Sequence, residues 1–247
     1  MKVFKTDGPG LGDHLQFSTL PEMFFNEGED FYLHRSLIFR NDEIKQLVWD
    51  LNPYVKGVSD YTPNCGELKY CSGKEPAGRY NLTEVNEYYN NLKPTNKFPK
   101  IYYKHDRYEP NTFRDRIYID MFSIGAIMQG SFAQKNTILN LQDFIKFTIK
   151  NNENRELFLI KNKHQYTGLD IGINLPVYEI KNIFEYCDLI KYCNTFITLF
   201  SGSMVLASAI KQYAEYPKII TIDSTQHLRS NLENNSWYFE NVQYVEV

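Results

Sequence analysis

Residues 2–21, KVFKTDGPGLGDHLQFSTLP, constrain the fold more than any other stretch: a short apolar strand runs into a glycine-rich turn that opens an amphipathic segment. Val3 and Phe4 supply the strand, and Gly8, Pro9, Gly10 and Gly12 allow a tight turn and a close approach of backbone to a ligand. Asp13 is expected to cap the helix that follows, in which Leu15, Leu20, Met23 and Phe24 fall near helical spacing. Backbone N–H groups at such a helix start face whatever lies above the strand, where α/β proteins bind small polar ligands. The spacing Gly8-x-Gly10-x-Gly12 is not the dinucleotide fingerprint G-x-G-x-x-G, and no GKS or GKT follows it.

The rest of the chain repeats the strand-helix alternation. Residues 30–34 and 55–59 read as strands around a helix containing Ile44, Leu47 and Val48, which favours a parallel sheet. Residues 60–80, rich in Gly, Pro, Ser and Asn around Cys65 and Cys71, are expected to form a long surface loop. A helix over 82–92 with Thr83 as its cap and a strand over 98–104 complete this half. The polar run 103–116, with Pro110 inside it, reads as a linker, because a second β/α series starts beyond it. That series comprises a strand at 117–122, a helix with Ile138, Leu141, Ile145 and Ile149 on one face, a strand at 157–160, a helix from about 179 to 192, the apolar strand 195–200, a buried helix at 204–210 and a strand at 218–222. The expected organisation is α/β, with two Rossmann-like parallel-sheet domains over residues 1–112 and 113–247.

Size and composition exclude several classes. With 247 residues, 43% hydrophobic and 23% charged, the chain can bury two small cores and is neither disordered nor fibrous. A formal net charge of −3 and the absence of a basic block argue against nucleic acid as a partner. No apolar signal core and no run of about 18 apolar residues occurs, so no membrane span is expected and the expected location is cytoplasmic, compatible with peripheral membrane contact. Cys65 and Cys71, and Cys187 and Cys193, make two C-x5-C pairs that match no common zinc spacing and read as reduced structural thiols.

The second informative stretch is ITLFSGSMVLASAI, residues 197–210: an apolar strand ending in Ser201-Gly202-Ser203 at the start of an apolar helix. Free N–H groups, two hydroxyls and the positive end of a helix dipole suit a phosphate there without a metal. Gly10-Leu11-Gly12-Asp13-His14-Leu15 followed by Thr19-Leu20-Pro21 resembles the amino-terminal motif of the heptosyltransferase-like glycosyltransferases, a GT-B family. Residues 195–210 resemble that family's donor-binding turn and helix, and Ser123-Ile124-Gly125-Ala126 its second-domain opening turn. The family's usual His after the donor turn is absent here, and the chain is shorter than most GT-B enzymes.

The resemblance implies two domains facing across a cleft and transfer of a sugar from a nucleotide-sugar donor to a hydroxyl of a glycan or lipopolysaccharide-type glycolipid, with inversion. Asp13 would then be the catalytic base, with Gly10, Gly12 and His14 on the acceptor. Ser123, Gly125, Ser201, Gly202 and Ser203 would bind the donor phosphates; Lys161, Lys163 and Glu179 would meet the donor nucleotide. No cofactor is implied, and the absence of a D-x-D triplet implies no metal. Two alternatives stay open: a non-catalytic GT-B-like sugar- or nucleotide-binding protein, and a nucleotide-dependent oxidoreductase or epimerase. The missing fingerprint weighs against the second.

Overall fold

The computed structural model describes residues 1–66, 80–122, 135–162, 170–211, 218–223 and 238–247. The chain divides into two compact units, Met1–Lys104 with Asn231–Phe239 and His105–Ser230 with Glu240–Val247.

In the first unit, β1 (Lys2–Phe4), β2 (Phe31–His34) and β3 (Val55–Ser59) form a parallel sheet in that order. On the other flank of β1 the chain returns in a parallel bridge between Phe4 and Cys65, so β1 is interior and the winding reverses direction there. The start of the expected loop over 60–80 is therefore part of the sheet edge, and Cys71 lies outside the described residues. Gly66 makes the close approach workable: its φ is +105°, and a Cβ would lie 2.2 Å from the Lys5 carbonyl oxygen.

The helices of this unit are α1 (Leu11–Leu15), α2 (Leu20–Asn26), α3 (Asp42–Lys45), which runs on into a π-helical turn at Gln46–Asp50, and α4 (Leu82–Tyr89). Phe4 lies in a cluster of buried rings, 5.0 Å from Phe17, 4.9 Å from Trp49 of the π-helical turn and 5.9 Å from Phe31 of β2. Each fully buried ring of this kind contributes about 1.5–3 kcal/mol through burial of apolar area. Asn81, not Thr83, caps α4: its Oδ1 accepts from the Thr83 and Glu84 N–H groups, and Glu84 reciprocates to the Asn81 N–H. Thr83 instead donates to Gln16 Oε1 at 2.9 Å. Residues 98–104 are not a strand. The Lys100 N–H goes to Ser18 Oγ at 2.8 Å and the Tyr102 hydroxyl to Glu22, so this segment is anchored on α2 and the residues just before it, and it pairs with no strand among the described residues.

Among its described residues the second unit contains six parallel strands, β4 (Ile117–Asp120), β5 (Leu157–Asn162), β6 (Val177–Ile180), β7 (Thr195–Leu199), β8 (Lys218–Asp223) and β9 (Val242–Glu246). Their spatial order, β6-β5-β4-β7-β8-β9, is that of a dinucleotide-binding sheet, reversing between β4 and β7. Helices α5 (Lys135–Lys150), α6 (Ile183–Tyr192) and α7 (Gly202–Ile210) flank it. Ile119, Ile197, Leu199 and Ile222 on one face pack with Leu141 and Ile145 of α5. The opposite face receives α6, where the Tyr186 ring lies 5.9 Å from Phe196. Because both faces are covered, β7 is buried along its whole length, which is why TFITL reads as a continuous apolar run. Glu179 lies on β6 and not on a helix; α6 starts only at Ile183, after Asn182 caps the Phe184 and Glu185 N–H groups. Cys65, Cys187 and Cys193 are buried free thiols.

His14 belongs to the core of the first unit. Its Nδ1 accepts from Trp49 Nε1 at 3.0 Å, its Nε2 lies 3.1 Å from the Ile38 carbonyl oxygen, and its ring stacks on Phe39 at 4.6 Å. With Nδ1 accepting, Nε2 carries the proton and the imidazole is neutral. Burial lowers its pKa from 6.5 to about 4, against the raising effect of the Ile38 carbonyl. The unfolded chain therefore binds a proton at His14 that the folded chain refuses between these two values. The associated stability is complete above pH 6.5 and is lost progressively as pH falls toward 4, amounting to about 3 kcal/mol at most. Urea denaturation of wild type and His14→Gln between pH 7 and 4 tests this. The wild-type midpoint should fall more steeply with acid than that of the variant, and parallel curves would assign the loss to other groups.

Candidate functional site

At the C-terminal ends of β4 and β7 the backbone register pairs Asp120 with Thr198. This is the reversal point of the sheet, the place where open α/β sheets leave a crevice for a ligand. Asp120 is 2% exposed, and among the described residues three donors reach its carboxylate. Oδ2 accepts from Ser203 Oγ at 2.9 Å and from the Tyr186 hydroxyl, and Oδ1 accepts from the Phe122 N–H at 3.0 Å. Burial, followed by the adjacent Asp120 charge, raises the Tyr186 pKa well above its ordinary value, so this phenol stays protonated and donates.

Directly after β7, Ser201 caps α7 by accepting the Ser203 N–H at 3.2 Å, and its Oγ lies 3.5 Å from Thr198 Oγ1. The Met204 N–H goes to the Ser201 carbonyl, which leaves the Gly202 N–H without an acceptor among the described residues. Ser201, Gly202 and Ser203 are all partly exposed. Three of the five residues expected on donor phosphates, Ser201, Gly202 and Ser203, are thus together at the reversal point, but their donors differ. Gly202 offers its N–H, and Ser201 a hydroxyl proton held only by a long 3.5 Å contact to Thr198 Oγ1, whose own proton goes to the Leu199 carbonyl at 3.1 Å, whereas the Ser203 hydroxyl proton goes to Asp120 at 2.9 Å. Ser123, Gly125 and Lys163 lie outside the described residues.

In the first unit the glycine-rich turn sits at the end of the interior strand β1. Gly10, not Asp13, is the N-cap of α1; Asp13 is the third helical residue, and its Oδ2 accepts the Gly10 N–H at 3.0 Å. The glycines make room for this carboxylate. A Cβ at Gly8 would lie 2.6 Å from Asp13 Cγ, and one at Gly10 would lie 2.9 Å from Asp13 Oδ2 and 3.3 Å from Arg40 Nη2. The Arg40 N–H closes the turn by donating to the Pro9 carbonyl at 2.8 Å. Asp13 is partly exposed and Gly12 buried. His14 was expected on an acceptor; its ring is enclosed, with both nitrogens engaged inside the unit.

Lys161 and Glu179, expected on the donor nucleotide, are register partners on β5 and β6 and form an exposed ion pair at 2.8 Å. Each neutralises the other. Glu185 is buried and accepts from the Lys181 N–H and the Tyr178 hydroxyl, so it fixes the entry to α6. Sequence reasoning missed Asp120 and Tyr186. The signal for the first was available, a carboxylate closing an apolar strand in the run IYID; nothing in the sequence paired it with Tyr186. Among the described residues no group of three or more His, Cys, Asp or Glu side chains could hold a metal ion, and no helix is long and apolar enough to cross a membrane.

No protein-family model matches the chain, and no curated protein sequence matches it. Solved structures do. A dodecameric iron-containing heptosyltransferase, TibC, in complex with ADP-D-beta-D-heptose superposes with a TM-score of 0.60 at 14% identity, over 97% of this chain and 61% of that one. TibC from enterotoxigenic E. coli H10407 gives a TM-score of 0.61 at 13% identity over 99% and 62%. The chain thus spans about three fifths of the length of the TibC chains. E. coli heptosyltransferase WaaC with ADP gives 0.58 at 9% identity over 100% and 93%. At such identities the likeness is one of fold, and it runs across both units: this chain has the α/β fold of the heptosyltransferase-like glycosyltransferases.

Proposed function

We propose that this protein is a glycosyltransferase that moves a sugar from a nucleotide-sugar donor to a hydroxyl of a glycan or glycolipid acceptor. The observation that carries the reading is the coincidence of the sheet's reversal point with the partly exposed Ser201-Gly202 turn, on a fold shared with heptosyltransferases along nearly the whole chain.

In this reading the second unit holds the donor. The Gly202 N–H and the Ser201 hydroxyl proton meet the diphosphate, and the start of α7 favours the negative charge that develops as the leaving group departs. Ser123, Gly125 and Lys163 keep their expected donor roles as part of the proposal. The first unit holds the acceptor. Asp13 Oδ1, which has no partner among the described residues, takes the proton of the acceptor hydroxyl. The acceptor oxygen then attacks the anomeric carbon, the bond from that carbon to the diphosphate oxygen breaks, and the nucleoside diphosphate leaves with the electron pair. Attack opposite the leaving group inverts the anomeric centre. Backbone and hydroxyl donors supply the stabilisation here, so the reaction is proposed to need no metal.

Incubation with a panel of nucleotide sugars, including ADP-heptose, and a glycan or glycolipid acceptor tests the proposal through release of nucleoside diphosphate and mass of the product. Transfer should persist in EDTA, and loss restored by manganese would remove the metal-free part. Binding of nucleotide sugar with no turnover on any acceptor would favour a non-catalytic binder.

Asp13→Asn should fold normally, because an amide oxygen can still accept the Gly10 N–H, while transfer drops at least a hundredfold, as loss of a positioned base does. A folded variant with undiminished transfer would remove Asp13 from the chemistry. Gly8→Ala should act through the same carboxylate. The added methyl group displaces Asp13, lowers stability by about 1–3 kcal/mol and reduces transfer, and unchanged transfer would show that the seat of Asp13 is unimportant.

A further inference from the structure

We infer that Asp120 is a positioning residue that turns Ser203 into a hydrogen-bond acceptor, so that Ser203 takes a hydroxyl group of the donor substrate and not its phosphate. This rests on the proposed reading of the site as a nucleotide-sugar site.

The argument starts from proton inventory. A serine hydroxyl has one proton and two lone pairs. The Ser203 proton points to Asp120 Oδ2 at 2.9 Å, a bond to a carboxylate and therefore stronger than one between neutral groups. The Ser203 N–H is taken up by Ser201 Oγ at 3.2 Å. Ser203 thus has no donor left for a phosphate oxygen, while the lone pairs of its partly exposed hydroxyl can receive one.

Asp120 cannot easily release that proton by turning. Its Oδ1 is held by the Phe122 N–H, and its Oδ2 is shared with the Tyr186 hydroxyl, which arrives from α6. The carboxylate lies at the end of β4, and the Ser203 hydroxyl at the start of the helix that follows the neighbouring strand β7. Two adjacent residues of α7 therefore present opposite polarity: Gly202 offers an N–H suited to an anion, Ser203 a lone pair suited to a neutral hydroxyl. A ligand that carries both groups side by side, a phosphate next to a ribose or sugar hydroxyl, matches this pair, and bare pyrophosphate matches only half of it.

The test uses the full chain and three probes: inorganic pyrophosphate, ADP and an ADP-sugar, with affinities from calorimetry and competition. Ser203→Ala should weaken the ADP-sugar, or ADP and the ADP-sugar together, by about three- to tenfold, the loss of one hydrogen bond. Pyrophosphate should stay within about twofold, and Ser203→Thr should restore wild-type affinity for all three. Asp120→Asn, which removes the charge that orients the proton, should weaken the hydroxyl-bearing ligands while leaving pyrophosphate unchanged or tighter. If Asp120→Asn does not fold, the two Ser203 variants carry the test. Equal weakening of pyrophosphate and ADP in Ser203→Ala, or no change with any probe, would overturn the inference while leaving the nucleotide-sugar reading intact. A wild-type protein that binds neither ADP nor any nucleotide sugar would overturn both.

Discussion

The turn at the reversal point of the second unit's sheet is ordered by a buried carboxylate. Asp120 closes β4 in a position that is otherwise apolar, and a charge taken out of water there is made tolerable by donors that converge on it, three of them among the described residues. Those donors come from the chain just past β4, from α6 and from the first turn of α7. The carboxylate therefore ties together the elements that flank the reversal point of the sheet, and the same bonds that make its burial bearable fix the polarity of the turn beside it.

A second carboxylate plays a comparable part in the first unit by a different route. Asp13 does not need burial; it needs space. Gly8 and Gly10 surrender their side chains so that it can fold back over the turn and hold the Gly10 N–H. The glycine-rich run is thus a seat for a carboxylate at the end of the interior strand, which is a narrower role than general backbone freedom. His14, one residue on, faces the other way into Trp49 and Phe39. Helix geometry explains the split, since neighbouring residues on a helix project about 100° apart.

Both units reverse winding at their first strand, β1 in one and β4 in the other, and each reversal lies beside a turn rich in small residues. Shared architecture of this kind does not by itself specify chemistry. What distinguishes the two places is the donors and acceptors they leave open: a carboxylate oxygen at Asp13 in the first, and an N–H beside a hydroxyl lone pair at Gly202 and Ser203 in the second.

The strand-helix alternation, the parallel sheets, the glycine turn and the SGS turn were legible in the sequence, because each is a local pattern of apolar spacing and small residues. Three element assignments failed for reasons that local pattern does not contain. Residues 98–104 have strand composition but lie along α2, where side chains of Ser18 and Glu22 take their polar groups; Glu179 joined β6 through pairing with β5; and Cys65 joined the sheet through a bridge to Phe4. The site divides in the same way. Sequence placed Asp13 and Ser201-Gly202-Ser203 at strand ends, but only tertiary structure decided that Lys161 and Glu179 answer each other, that His14 is core, and that Asp120 orders Ser203. The Asp120 and Ser203 positions are 83 residues apart, and it is the sheet order, with β4 against β7, that makes them neighbours. Hydrogen-bond polarity is set by whichever partner folding supplies, so it cannot be read from either residue alone.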